Sequence, residues 1–264
     1  MTSVLDRIVA AHRATAAADE RPLDDVVARA EAMPAPRDFR AALAPGAAAV
    51  GTPIAVIAEV KRRSPSAGPI APDLDPGDLA RRYEEGGAAA LSVLTDSAYF
   101  GGSPEDLARA RRSCPLPVLR KDFTVCEADV CDARLMGADA VLLIVAALSD
   151  VELIRFRALA TDLGMAALVE VHTETELDRA LAAGADLVGV NRRNLATFEV
   201  DLGLSERLAA SIPDGVVTVA ESGVRSPDDL VGLAATGYHA VLVGETLVSA
   251  PDPAAALRHL RRAR

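Results

Sequence analysis

Two charged side chains end an otherwise apolar segment of the sequence, VIAEVKRRSP at residues 56–65. Side chains two residues apart on a strand share a face, so Glu59 and Lys61 continue the face of Ile57. Burying a charge is costly unless the charge is paired. An apolar strand that ends in two charges on one face therefore predicts a chemical task at that end.

Four later segments repeat this arrangement, with a charged or amide side chain two residues after an apolar or small one. The pairs are Leu119 and Lys121, Leu168 and Glu170, Gly189 and Asn191, and Val219 and Glu221. For Glu221 alone, a strand end that meets solvent is the favoured explanation. Three carboxylates and two lysines at one place are better explained by acid–base chemistry, because buried ion pairs contribute little to stability.

Eight apolar segments that alternate with stretches of helical period predict the elements that position these side chains. Four follow a glycine suited to the left-handed end of a helix, and they recur at intervals close to fifty residues: 86–94, 136–144, 183–191 and 236–244. The other four are 53–61, 115–123, 165–171 and 215–222. Strands buried on both faces and joined by helices are parallel, and eight such units close into a (β/α)8 TIM barrel.

An open doubly wound sheet is the alternative fold, ranked second because no G-x-G-x-x-G turn is present. Residues 1–50 are predicted to form a helical extension with helices near 3–18, 22–33 and 37–44, which caps one end of the barrel or flanks its mouth. Residues 51–264 are predicted to form a single catalytic barrel domain.

Barrels commonly bind phosphate with the loops after strands seven and eight. Here those loops are AESGVRS (220–226) and VGETL (243–247), in which Ser222, Gly223 and Gly244 offer free backbone N–H groups. Ordinary turn glycines are the alternative. The carboxylate of Glu245 would repel a phosphate, so we expect its side chain to turn away while its backbone N–H donates.

Two further loops lie near the predicted mouth. The SPSAG loop at residues 64–68 is a mobile lid, an anion contact or an ordinary turn. Phe100 and Phe123 are suited to pack against an aromatic substrate, although plain core packing explains Phe123 at least as well.

Composition excludes several classes of function. The net charge of −10 disfavours nucleic acid as a partner, because phosphate backbones require basic patches. The longest apolar run, residues 140–148, is far short of a membrane helix, and the N-terminus shows no signal-peptide pattern. Three sparse cysteines indicate a reduced, cytoplasmic protein. The four histidines have no metal-ligand spacing and are interpreted as surface or satisfied polar residues.

The ordered motifs resemble the indole-3-glycerol phosphate synthase family of tryptophan biosynthesis. The matching segments are IAEVKRRSPS (57–66), SVLTDSAYFGGS (92–103), PVLRKDF (117–123), VLLIVAAL (141–148), LVEVH (168–172), GVNRRNLATFEVDL (189–202), VAESGV (219–224) and VLVGETLV (241–248). The likeness covers about residues 50–250, and the N-terminal helices also look like the extension of that family.

The resemblance implies a lyase that converts 1-(2-carboxyphenylamino)-1-deoxyribulose 5-phosphate into indole-3-glycerol phosphate, CO₂ and water. No cofactor, metal or macromolecular partner is implied, and we expect a monomer or a weak homodimer. The implied catalytic residues are Glu59, Lys61, Lys121, Glu170 and Asn191. The implied substrate-binding residues are Ser64, Phe100, Phe123, Leu142, Arg193, Glu221 and Ser222, and the implied phosphate-binding residues are Arg193, Ser222, Gly223, Gly244 and Glu245.

Within that likeness, Lys121 matches the general acid. Lys61 matches a residue that binds the substrate carboxylate or acts as a further acid, and either Glu59 or Glu170 would be the base. The sequence departs from the family at Arg63, where a small residue is expected, and at Ala67, where many relatives have lysine.

Two other functions are alternatives to this lyase. Isomerisation of phosphoribosylanthranilate needs no decarboxylation, and the two lysines disfavour it. A barrel that binds a phosphorylated aromatic compound without catalysis would usually lack one of the charged residues, and here all of them are present.

Overall fold

Eight parallel strands form the centre of the molecule, which is described by a computed structural model over residues 3–47, 52, 54–65, 68–194 and 199–262. Each strand pairs with the next along the chain, and the eighth pairs with the first. In chain order, β1 to β8 are Ala55–Val60, Ala90–Leu94, Val118–Lys121, Ala140–Ile144, Ala166–Val171, Leu187–Asn191, Val217–Glu221 and Ala240–Val243. The predicted (β/α)8 barrel is confirmed, and the open doubly wound sheet is wrong.

Helices cover the outside of this barrel and precede it. They are α1 Val4–Ala17, α2 Leu23–Glu31, α3 Pro76–Gly86, α4 Ser97–Phe100, α5 Pro104–Ser113, α6 Glu127–Met136, α7 Asp150–Asp162, α8 Glu174–Ala182, α9 Leu204–Ala209, α10 Pro227–Ala235, α11 Glu245–Val248 and α12 Pro253–Leu260. Several begin at a side chain that accepts a backbone N–H of the first turn, such as Ser103, Thr173 and Ser226. Such N-caps stabilise helix starts by about 1 kcal/mol each.

The four glycines of the repeated segments take the backbone conformation that the sequence predicted. Gly87, Gly137, Gly184 and Gly237 have φ values of 85°, 92°, 79° and 92°. A side chain in this left-handed region is strained, so glycine ends each helix at low cost and turns the chain into the next strand.

The alternating faces of each strand separate two apolar cores. Ile57, Leu119, Leu168 and Val219 pack inside the barrel, whereas Val56 and its equivalents pack between the sheet and the helices. The faces predicted for the strand-end charges are therefore the interior faces, and the charges stand above an apolar floor.

The N-terminal segment contacts both ends of the barrel. Residues of α1 lie at the mouth, where the strands end. Phe39 and Leu43 are buried in the interior core near the strand starts, and Arg40 donates to the backbone oxygens of Asp186 and Gly215 there. The helix predicted over 37–44 is wrong: the structure has a 3-10 helix at Ala41–Leu43, because burial of Phe39 and Leu43 inside the barrel overrides the local preference for an α-helix.

A short antiparallel pair follows β1, in which Arg63–Ser64 pairs with Gly68–Pro69. Ser66 and Ala67 lie outside the described residues. None of the helices in the described part of the chain is long and apolar enough to cross a membrane.

Candidate active site

A cavity of about 510 Å³ opens at the carboxyl ends of the strands. Every residue that the sequence predicted for the site lines it: Glu59, Lys61, Ser64, Phe100, Lys121, Phe123, Leu142, Glu170, Asn191, Arg193, Glu221, Ser222, Gly223, Gly244 and Glu245. The barrel brings these residues together because they lie in the eight strands or in the loops that follow them, and all the strands end at the same mouth. Their individual roles stay predictions.

Lys121 stands at the centre of a group of carboxylates. Its Nζ lies 2.6 Å from Glu170 Oε2 and 3.3 Å from Glu221 Oε2. Burial alone favours the neutral amine, but the negative charge of Glu170, with contributions from Glu221 whenever it is ionised and from Glu59, outweighs burial and raises the pKa of Lys121. Lys121 therefore carries a proton at neutral pH.

The two carboxyl groups beside Lys121, those of Glu170 and Glu221, have pKa values shifted in opposite directions. Burial favours the neutral form of both. For Glu170, the charge of Lys121 and the contact with His172 outweigh burial and lower the pKa. For Glu221, burial and the neighbouring charge of Glu170 prevail and raise the pKa. The pair thus holds one ionised and one protonated carboxyl group, an arrangement typical of acid–base sites.

Glu221 also has an oxygen with no hydrogen-bond partner among the described residues, the buried Oε1. This oxygen points at the backbone of β6, where a Cβ on Gly189 would lie 2.2 Å from it. Glycine at this strand position leaves the space that the carboxyl group occupies.

Glu59 and Lys61 form a second charged pair on the other side of the mouth. Lys61 Nζ donates to Glu59 Oε1 at 2.5 Å, and Glu59 is buried. A Cβ on Gly244 would lie 2.4 Å from the same Glu59 oxygen, so this glycine also makes room for a carboxylate. Lys61 and Lys121 are the two lysines of a chain that otherwise carries its positive charge on arginine.

The loops after β6, β7 and β8 form a polar corner of the cavity. Ser222 has a left-handed backbone with φ of 67°, and its hydroxyl donates to Asn191 Oδ1 at 2.8 Å. The backbone N–H of Arg193 donates to the same Asn191 oxygen at 3.1 Å. Glu245 is the first residue of α11 and has an exposed side chain. Its position beside a phosphate stays a prediction.

Arg192, which the sequence reasoning did not select, fixes this corner. Its guanidinium is buried and donates from Nε to the backbone oxygen of Ser222 at 2.9 Å. The strained backbone of Ser222 is therefore held by a charged hydrogen bond.

Aromatic rings line the opposite wall. The rings of Phe100 and Phe123 lie 6.2 Å apart between centroids, and Leu142 is buried beneath the cavity. Val4, Leu5 and Ile8 of α1 complete this apolar side, and the sequence reasoning missed all three. Their helical spacing in VLDRI indicated a buried face, but the sequence did not show what that face covers.

His172 was interpreted as a surface or satisfied polar residue, and it is largely buried beside the site. Its Nδ1 lies 3.1 Å from Glu176, and its Nε2 lies 3.3 Å from Glu170 Oε1 without hydrogen-bond alignment. Burial opposes the charged ring, but the two carboxylates outweigh it and raise the pKa of His172 to about 9. The resulting positive charge helps to keep Glu170 ionised.

A family model for indole-3-glycerol phosphate synthase matches residues 5–260 of the chain. The chain is 52% identical over 261 residues to the indole-3-glycerol phosphate synthase of Mycolicibacterium gilvum, which covers 98% of this chain and 93% of the relative. It is 53% identical over 232 residues to indole-3-glycerol phosphate synthase 2 of Streptomyces coelicolor, and this alignment covers 88% of this chain and 87% of the relative.

Solved structures share the architecture at low identity. Thiamine phosphate pyrophosphorylase from Pyrococcus furiosus has a TM-score of 0.58 at 19% identity, over 81% of this chain and 96% of that chain. This likeness shows the barrel fold alone. The family match and the identities of about one half over nearly the whole chain decide the relationship: the chain belongs to the indole-3-glycerol phosphate synthase family.

Proposed function

We propose that the chain catalyses the reaction of its family, in which 1-(2-carboxyphenylamino)-1-deoxyribulose 5-phosphate loses CO₂ and water and closes to indole-3-glycerol phosphate. The enzyme is thus a carboxy-lyase of tryptophan biosynthesis, in agreement with its named relatives. The observation that carries the proposal is that both lysines of the chain stand among three buried carboxyl groups in one cavity.

The use of lysine at these two positions fits a proton-transfer role. Arginine keeps its proton under all ordinary conditions, whereas a lysine amine can release one. In ring closure, the aromatic carbon that bears the carboxylate attacks the ketone carbon, and the ketone oxygen becomes an alkoxide. Lys121, held charged by its neighbours, stabilises that alkoxide and donates the proton.

Glu170 is the proposed base for the later dehydration. In the resting site, the charge of Lys121 keeps the pKa of Glu170 low, which makes Glu170 a weak base. Once Lys121 has given its proton to the alkoxide, that charge is gone, and Glu170 becomes more basic. Loss of CO₂ restores the aromatic ring. Glu170 then removes a proton from the five-membered ring, and Lys61, the proposed further acid, donates a proton to the new hydroxyl, which leaves as water and completes the indole. Glu59 is the alternative base.

The remaining walls match the two ends of this substrate. Lys61 would bind the substrate carboxylate, with Phe100, Phe123 and Leu142 along the aromatic ring. Asn191 and Ser64 would orient polar atoms between the two ends, beside Glu221.

The phosphate is proposed to bind in the polar corner. Arg193 supplies a positive charge, and the backbone N–H groups of Ser222, Gly223, Gly244 and Glu245 supply hydrogen bonds of the kind that loops and helix starts offer to anions. Substitution of Arg193 by alanine is expected mainly to raise KM.

The test is an assay with purified protein and the substrate, in which indole fluorescence reports product. Fluorescence is expected to rise with the intact chain, and Lys121→Ala and Lys121→Arg are both expected to lower kcat by at least about 10², the usual contribution of a general acid. Lys121→Arg is the sharper variant, because it keeps the charge among the carboxylates but removes the transferable proton. Near-normal turnover in Lys121→Arg would contradict the acid role, and substrate binding without turnover in the intact chain would favour a non-catalytic binder.

We also propose that residues 1–50 form the helical extension and residues 51–264 the barrel. The proposed ligand is this small molecule, and neither nucleic acid nor a membrane is a proposed partner. We further propose that the protein is a cytoplasmic monomer or weak homodimer. The free state of Cys114, Cys126 and Cys131 supports a reducing compartment.

A further inference from the structure

One histidine of the N-terminal helix lies against two carboxylates at the barrel mouth. His12 Nε2 is 3.1 Å from Asp96 Oδ2, in the loop after β2, and 3.9 Å from Asp122 Oδ1, after β3. The His12 side chain is 22% exposed, and both aspartates are buried. The sequence reasoning treated His12 as an ordinary polar residue, because nothing near it in the sequence indicates these partners.

This contact fixes the face of α1 that covers the substrate cavity. Ile8 precedes His12 by one helical turn, so both side chains lie on the same face of the helix. Ile8 is buried and lines the cavity together with Val4 and Leu5. A displacement of α1 at His12 would therefore move an apolar wall of the substrate site.

The contact between His12 and Asp96 is linked to the aromatic wall of the cavity in two ways. The Oδ1 of Asp96 accepts from the backbone N–H groups of Tyr99 and Phe100, at 2.6 and 3.0 Å, and so begins helix α4. The imidazole of His12 also packs on Phe123, with 5.4 Å between ring centroids. The position of α1 is thus joined to Phe100 through Asp96 and to Phe123 through the His12 ring itself.

The charges around His12 favour its protonated form. Asp96 faces it from the loop after β2, Asp122 from the loop after β3 and Asp129 from α6. Arg120 offsets part of this field, since it donates to Asp122 Oδ2 at 3.0 Å. On α1 itself, the adjacent Arg13 is paired with Glu152 of α7.

The hydrogen bond to Asp96 is the largest influence and raises the pKa of His12 above its ordinary 6.5, with burial opposing and the charges of Asp122 and Asp96 adding. Because the pKa is raised in the docked state, the stabilisation of docking is complete below pH 6.5. It is lost as the pH rises through the higher value of the docked helix.

A bound metal ion is a less satisfactory explanation of this cluster. The three side chains place one potential ligand atom each within 4.8 Å of one another. The Asp122 Oδ2 oxygen, however, already accepts from Arg120 and from the Thr95 hydroxyl, and Asp96 Oδ1 accepts two backbone N–H groups. Asp122 Oδ1 accepts the backbone N–H of Phe123, so a positively charged imidazole, which needs only Asp96 Oδ2, leaves all of these donors in place.

We propose that His12 is a positioning residue for substrate binding: in its charged form it holds helix α1 against Asp96 over the aromatic side of the cavity, and loss of that charge at alkaline pH loosens the helix and weakens binding. This inference rests on the proposed function for the identity of the substrate. The docking of α1 is independent of it and can be measured without substrate.

The test compares His12→Gln, which cannot be charged, with His12→Lys, which stays charged throughout the pH range. KM and kcat for the carboxyphenylamino-deoxyribulose phosphate are measured from pH 6 to 9, with and without EDTA. At pH 6, His12→Gln is expected to raise KM about tenfold, as befits the loss of one charge-assisted hydrogen bond, with kcat nearly unchanged. The KM of the intact chain is expected to approach that of His12→Gln by pH 9, whereas His12→Lys is expected to remove this rise. His259→Gln, at an exposed histidine of α12, is the matched control.

Amide hydrogen exchange of α1, corrected for the intrinsic effect of pH, supplies the substrate-free measurement. Exchange in residues 4–17 is expected to be faster in His12→Gln than in the intact chain at pH 6 and equal to it at pH 9. An unchanged KM or unchanged exchange in His12→Gln at pH 6 would overturn the proposal, as would a fall in kcat alone. If EDTA raised the KM of the intact chain to that of His12→Gln, a bound cation would replace the histidinium. If the intact chain showed no turnover, the proposed function would fail, and the exchange measurement would still decide the docking of α1.

Discussion

At the scale of the residue, the site depends on unequal acidity in neighbouring groups. Lys121 is charged, Glu170 is ionised and Glu221 is protonated, although the three side chains lie within ion-pair distance. One buried ammonium cannot compensate two buried carboxylates, and the carboxyl group farther from it keeps its proton. A protonated Glu221 can donate a hydrogen bond to the substrate, which an ionised carboxylate cannot do.

This state of Glu221 predicts how stability depends on pH. A raised pKa means that the folded chain binds a proton which the unfolded chain releases above pH 4.5, so this group lowers stability progressively as the pH rises. Glu221→Gln mimics the protonated form and avoids that cost. The stability of the variant relative to the intact chain is expected to increase by more than about 1 kcal/mol between pH 5 and pH 8.

Urea unfolding at the two pH values measures this difference. Glu20→Gln, at an exposed carboxylate, should show none. A relative stability that stays constant or falls would mean that Glu221 is ionised and contributes an ion pair to Lys121.

His172 gives a pH dependence of the same sign as Glu221, because its pKa in the fold is also raised. Its pKa rises from 6.5 in the unfolded chain to about 9 in the fold, so its contribution is complete below pH 6.5 and is lost as the pH rises through 9. His172→Gln is expected to destabilise the chain by roughly 3 kcal/mol at pH 6 and by much less at pH 9.5. Thermal unfolding at both values checks this, and an equal loss at both would indicate lost packing instead of lost charge.

At the scale of the element, the strands position the carboxylates and also make space for them. The pairing of β6 with β7 sets Asn191 beside Glu221 and Gly189 beside Val219. Glycine weakens a strand, because it costs more entropy on folding and offers no side chain to pack. Its presence at position 189 is explained by the Glu221 carboxyl group that would otherwise meet a Cβ.

Gly189→Ala is therefore expected to displace Glu221, to destabilise the chain by about 1–3 kcal/mol through overpacking, and to lower kcat/KM at least tenfold. The shorter side chain in the double variant Gly189→Ala, Glu221→Asp is expected to recover the stability. Unfolding and steady-state kinetics of the single and double variants test the contact. Gly232→Ala, an exposed helical glycine with open space around it, should be neutral or stabilising. Failure of the double variant to recover would place the clash elsewhere.

At the scale of the whole molecule, the N-terminal segment contributes to the two ends of the barrel in different ways. At the mouth, α1 supplies an apolar wall of the cavity. At the opposite end, Phe39 and Leu43 are buried among the interior residues at the strand starts. One part of the N-terminal segment, α1, therefore contributes to substrate binding, and another part, around Phe39 and Leu43, stabilises the fold.

Phe39→Ala is expected to lower the free energy of unfolding by about 3–5 kcal/mol, because a large buried ring is removed. Its KM and kcat are expected to stay within about twofold of the intact chain, since the site lies at the other end of the barrel. Chemical unfolding and the fluorescence assay measure the two quantities, with Leu23→Ala at a 40% exposed leucine as the control. A large rise in KM would show that the two ends are coupled.

The sequence by itself determined the barrel, because its period of strands and helices and its helix-ending glycines are local properties. It also selected the charged and amide residues at the strand ends of the cavity, because parallel strands necessarily gather their carboxyl ends. The family likeness named the reaction that such residues would perform.

Only the tertiary structure decided the contacts between residues far apart in the sequence and the pKa values that depend on those contacts. His12 meets Asp96 across 84 positions of the chain, and no local pattern encodes such a partner. The unequal acidity of Glu170 and Glu221 likewise depends on their separation from Lys121 and on burial, which arise only when the strands close. The predicted helix over 37–44 gave way to a single 3-10 turn because packing inside the barrel overrode the local preference of that segment for a helix.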